Sequence, residues 1–103
     1  MRKVEFSAQA KDDLKSIARY LAAETRSRAF GAKFTRKLRE RCSQLAGRTQ
    51  LMGGRREDLA EGLRSVTEGS YMIFFRYRGP IFEVILIIER HREMEAQFAP
   101  ATK

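Results

Sequence analysis

Apolar side chains recur every third or fourth position at Ala10, Leu14, Ile17, Ala18 and Leu21, while Lys11, Lys15 and Arg19 fall between them. That spacing follows the 3.6-residue turn of an α-helix and predicts an amphipathic surface helix with a single apolar stripe. Its start is expected near Ala8, because Ser7 offers a hydroxyl to the orphan amides of the first turn and Asp12 and Asp13 sit near the positive end of the dipole. A short extended segment, Lys3 to Phe6, precedes it. After Ala23-Glu24-Thr25 a second periodic run carries Phe30, Phe34, Leu38, Cys42 and Leu45 on one side, with Lys33, Arg36, Lys37, Arg39 and Arg41 mostly outside it. Gly47 is a natural C-terminal stop.

From Arg48 to Glu61 the periodicity fails. Gly53 and Gly54 are followed by the charged run Arg55-Arg56-Glu57-Asp58, which predicts a solvated connector. Three strands are then expected at about Leu63 to Thr67, Tyr71 to Tyr77 and Ile81 to Ile88, separated by Glu68-Gly69-Ser70 and Arg78-Gly79-Pro80, both suited to tight turns. Connections this short imply an antiparallel meander, with the third and most apolar strand central. The paired helices need a sheet to cover their joint apolar face. The expected class is therefore α+β in the order β-α-α-β-β-β, a helical hairpin on one face of a small, mainly antiparallel sheet. At 103 residues there is room for one modest core, so residues 1–98 read as a single domain and 99–103 as a disordered tail.

Charge narrows the choice of partners. Twenty-one Lys and Arg against thirteen Asp and Glu give a net charge of +8, which favours an acidic partner such as nucleic acid, an acidic protein or an anionic surface. The longest wholly apolar run, Val84 to Ile88, is far short of the roughly 20 residues that span a bilayer, so no membrane role is expected. Met1-Arg2-Lys3-Val4-Glu5-Phe6 lacks the apolar core of a secretion signal, and the single Cys42 cannot form an internal disulfide, so the expected location is cytoplasmic.

Candidate chemistry is sparse. One His and one Cys lie 49 positions apart and the carboxylates show no ligand-like clustering, so no metal set is expected; neither a P-loop nor a dinucleotide fingerprint is present, so no cofactor is expected. His91, between Arg90 and Arg92, reads as a solvated histidine, and Cys42 as a small core side chain. Arg64 and Arg76 stand out because each interrupts an otherwise apolar or small strand. If those strands pair as a hairpin, both guanidiniums project from one sheet face, where they grip a phosphate or carboxylate or else snorkel into solvent. The run from Arg26 to Arg41 holds seven Lys or Arg and one acid, Glu40, giving the second helix a positive outer face. Phe98, in a polar tail, either folds back onto the domain or meets a partner.

The order of these elements, Gly62-Leu63-Arg64-Ser65, the string from Gly69 to Arg76, and Arg92-Glu93-Met94-Glu95-Ala96-Gln97-Phe98 together resemble the ParE branch of the RelE/ParE toxin superfamily. Phe6-Ser7 followed by Asp13-Leu14, Ile17 and Tyr20 is also similar, so the likeness runs from about Val4 to Phe98. It implies the toxin of a type II toxin-antitoxin pair, a binder of DNA gyrase rather than a catalyst, with no catalytic residues and with Arg64, Arg76, Arg92 and Phe98 contacting the target. A ParD-like antitoxin is implied to lie over Leu14, Ile17, Leu21, Phe30, Phe34 and Leu38. Direct nucleic-acid binding is compatible with the charge and not required by it. RelE-like members of the superfamily instead cut messenger RNA on the ribosome, and Arg64 and Arg92 match arginines of that mechanism. Phe98 stands where the RelE pattern has a Tyr, no lysine pair accompanies Arg55-Arg56, and Glu89 stands where ParE-like sequences often carry a His.

Overall fold

The computed structural model describes residues 2–90. His91, Arg92, Phe98 and the expected tail at 99–103 lie outside those residues. The chain runs β1 (Lys3–Phe6), α1 (Ala8–Thr25), α2 (Arg28–Gly47), β2 (Gly54–Arg55), β3 (Arg64–Glu68), β4 (Tyr71–Arg78) and β5 (Ile81–Glu89). This is the expected β-α-α-β-β-β order with one addition. The two-residue strand β2 arises inside the connector, by antiparallel pairing of Gly54 and Arg55 with Ser65 and Arg64. The sheet order is β1-β5-β4-β3-β2, and only β1 pairs in parallel. β5 is thus interior, between β1 and β4, but the middle place belongs to β4 rather than to β5 as expected.

Ser7 starts α1 as expected. Its side chain accepts from the Ala10 amide at 2.9 Å and also donates to the Ile85 carbonyl, so one hydroxyl caps the helix and ties it to β5. Nearly two turns on, the Asp13 carboxylate accepts from the Ile87 amide at 2.9 Å. β1 pairs only with Ile81 to Val84, so α1 side chains serve the backbone of β5 past the end of β1.

The apolar stripes of both helices face the sheet. Ala10, Leu14 and Ile17 of α1 and Leu38, Cys42 and Leu45 of α2 are buried with Ile73, Phe75, Phe82, Val84 and Ile87. Phe75 stacks on Phe82 with ring centroids 4.6 Å apart. Burying side chains of this size contributes about 1.5–3 kcal/mol each. The helices approach closely at Gly31, where an added Cβ would sit 2.5 Å from the Ala18 carbonyl oxygen. Only a residue without a side chain permits that spacing.

The other sheet face is apolar too, which the expectation of one helix layer on one sheet did not foresee. Leu63, Phe74, Leu86 and Ile88 are buried there, with Leu59 and Ala60 of the connector packed against them. A bulge in β5 feeds this face: Phe74 pairs with Leu86 but Phe75 pairs with Val84, leaving Ile85 as the extra residue. Among the described residues no helix is long and apolar enough to cross a membrane.

Candidate functional site

The two arginines singled out from the sequence do not share a face. β3 and β4 are joined by the two-residue turn Gly69-Ser70, with Glu68 paired to Tyr71 and Arg64 paired to Phe75. Directly opposed residues point the same way, so Arg64 follows Phe75 to the helix side while Arg76, the next residue, points to the other. Gly69 has φ +62°, which a tight hairpin turn of this length requires and a side chain resists. The expectation of a common face corresponds to a three-residue turn, Glu68-Gly69-Ser70; one residue fewer reverses the parity.

Arg64 is engaged by its own chain. Its Nε donates to the Met52 carbonyl at 2.7 Å and its Nη2 to the Gly53 carbonyl at 3.2 Å. The connector is also held elsewhere: the Tyr77 hydroxyl accepts from the Met52 amide at 3.0 Å and donates to the Leu45 carbonyl at 3.4 Å, and Arg2 Nη1 donates to the Arg48 carbonyl at 2.7 Å. Gly53 has φ +81°, and a Cβ there would meet Phe75 Cζ at 2.8 Å and the Ser65 carbonyl at 2.9 Å. Arg64 is thus a clamp on the segment that becomes β2, not a free cation.

Arg76 is half exposed but paired. Its Nε donates to Glu83 Oε1 at 3.0 Å, and Arg78 reaches the same oxygen at 3.3 Å and Glu5 at 3.8 Å. The result is a charge ladder across β4, β5 and β1 on the face away from the helices. Hydrogen bonding from Arg76 first, opposed by partial burial and aided by Arg78, holds the Glu83 carboxyl below the usual carboxylate range. Glu83 was missed in the sequence, although it is the one acid inside the strand that faces Arg76, and counting back from the Gly79-Pro80 turn finds it.

The residues expected to receive an antitoxin fare unevenly. Leu14, Ile17 and Leu38 are at most 6% exposed, because the stripe that looks like a docking surface is the one the chain's own sheet covers. Leu21 and Phe34 are partly buried, Phe34 lying 5.5 Å from the Tyr71 ring; Phe30 is exposed. Much of the apolar stripe of the hairpin is therefore covered by the domain's own sheet. A cleft of about 510 Å³ lies instead between α1 and β5, lined by Asp13, Ser16, Tyr20, Tyr71 and Glu89 among others. On the outer side, Lys37 and Arg41 of the basic run share Glu68 at 3.9 and 3.5 Å.

Among the described residues, the groups with shifted acidity are not poised for acid-base chemistry. Burial pushes the Cys42 thiol up to about 12, against the lowering influence of Arg39 and Arg41. A hydrogen bond from Arg56 lowers the Asp58 carboxyl. These shifts, like that of Glu83, move away from neutrality, opposite to what a proton-transfer group needs. No group of three or more metal-type ligands occurs among the described residues.

A family model described as "ParE toxin of type II toxin-antitoxin system, parDE" matches residues 4–95. Among solved structures, the fold is similar to a chain of the chromosomal ParDE TA system from P. aeruginosa, with a TM-score of 0.74 and 19% identity over 86% of this chain and 96% of that one. At that identity the likeness concerns the fold. No curated protein matches the chain.

Proposed function

Because the chain belongs to the ParE toxin family of type II toxin-antitoxin systems, we propose that it is the toxin of such a pair, that it acts by inhibiting DNA gyrase, and that a ParD-like antitoxin neutralises it. The family match along residues 4–95 carries this reading. The net charge of +8 suits an acidic antitoxin, since complementary charge speeds encounter and fixes register. Of the hairpin residues, Phe30, with the partly exposed Leu21 and Phe34, keeps surface for that contact. Arg76, Arg92 and Phe98 remain proposed target contacts.

Ribosome-dependent RNA cleavage is the less favoured reading. It requires Arg64 to steady a phosphorane-like transition state, and that guanidinium already donates to two backbone carbonyls. The deciding assay is supercoiling by purified gyrase with and without the protein. Inhibition, or trapped cleaved DNA, that the antitoxin reverses is expected. Unaffected supercoiling rejects gyrase as the target, and cleavage of ribosome-bound transcripts would install the alternative.

A further inference from the structure

Leu51 is an anomaly. The residue is 54% exposed, yet the segment that carries it is held by hydrogen bonds on both sides of it. Arg64 grips the carbonyls of the next two residues, Tyr77 holds the Met52 amide, Arg2 holds the Arg48 carbonyl, and Gly53 is wedged against Phe75. A solvated connector needs none of this. Single exposed leucines are ordinary on mobile loops, but an apolar side chain on immobilised backbone enters a partner's pocket without the cost of ordering the loop.

The surroundings specify the partner's chemistry. Arg48 and Arg55 are exposed on either side of Leu51, and the segment from Arg48 to Arg56 contains no acid. Among the described residues Arg55 pairs only with Glu57, at a loose 3.8 Å, and Arg48 forms no ion pair. An apolar anchor with a cationic rim fits a protein contact; a single-stranded nucleic-acid site would add aromatic rings on which bases stack, and the segment from Arg48 to Arg56 has none.

We propose that the pinned connector is a further target-recognition element of this toxin, with Leu51 inserting into an apolar pocket ringed by carboxylates on a protein partner. Arg48 and Arg55 meet that rim, and Arg64 is a positioning residue that acts through the connector. The proposal rests on the toxin reading but not on which protein is the target.

The test uses the full chain, expressed without antitoxin and, separately, purified with gyrase. Leu51→Asp is expected to weaken growth arrest and target inhibition by roughly tenfold or more, as loss of a central interface anchor does. Its thermal stability and its capture by the antitoxin should stay as in the wild type. Ser43→Asp, the same change of charge on the exposed side of α2, should remain fully toxic. Charge reversal at Arg48 and Arg55 together should reduce potency and flatten its salt dependence.

Full toxicity of Leu51→Asp overturns the proposal and leaves the gyrase reading intact. Loss of antitoxin capture alongside toxicity also overturns it. Wild-type growth arrest without any effect on gyrase, abolished by Leu51→Asp, removes gyrase as the target and supports the surface.

Discussion

Replacing Arg64 by alanine removes two charge-assisted hydrogen bonds, to the Met52 carbonyl at 2.7 Å and the Gly53 carbonyl at 3.2 Å. Bonds of this kind contribute about 1.5–3 kcal/mol each when a charged group is involved. Both acceptors lie near the surface and regain water once the connector relaxes, so the combined cost should fall near the single-bond figure, about 2–3 kcal/mol. In a domain of this size that corresponds to a Tm lower by roughly 10–20 °C. Arg76→Ala provides the internal comparison. Its side chain is 43% exposed and its bond to Glu83 lies in a solvated ladder, so the loss should stay below about 1 kcal/mol. Urea denaturation of both variants, with m-values compared to confirm that the same surface unfolds, measures the difference directly. Equal losses, or a larger one for Arg76→Ala, would refute the assignment of Arg64 as a clamp.

Gly31→Ala should lower stability by about 1–3 kcal/mol through overpacking against the Ala18 carbonyl, despite the roughly 1 kcal/mol of helix propensity that alanine returns; thermal denaturation checks the sign. Glu83, with its carboxyl held low by Arg76 and Arg78, contributes stability that is present above its ordinary value of 4.5 and lost as pH falls through the depressed folded value. Glu83→Gln should therefore flatten the acid side of the stability curve and leave the curve above neutrality parallel to that of the wild type, as a pH series of denaturation midpoints would reveal. Cys42, with its thiol near 12 and its side chain fully buried, should resist iodoacetamide at neutral pH and react only on denaturation; rapid labelling of the folded protein, read by mass, would contradict its placement in the core.

Much of the fold was legible because local patterns and tertiary burial agree. Ser7 announces α1, and Ala10, Leu14 and Ile17 are buried where their spacing places them. The strands from Arg64 to Glu89 follow the expected segments within a residue or so. What escaped were properties that depend on counting or on distant contacts. The orientation of Arg76 relative to Arg64 turns on one residue of hairpin length, which Glu68-Gly69-Ser70 does not reveal by composition. β2 carries no pattern of its own; two residues pair with β3 next to a connector that Arg64 and Tyr77 hold in place. The stripes holding Leu14 and Ile17 on α1 and Leu38 on α2 show that something covers them, but a periodicity cannot say whether the cover is the same chain or another.

The places where α1 reaches past the end of β1 have a wider meaning. A sheet margin with vacant backbone groups is a template on which further copies can stack, and a small basic protein released in quantity would be exposed to that fate. Ser7 and Asp13 occupy the Ile85 carbonyl and the Ile87 amide, and the negative charge of Asp13 repels any incoming peptide oxygen. The helix thereby closes this stretch of β5 to the addition of a further strand.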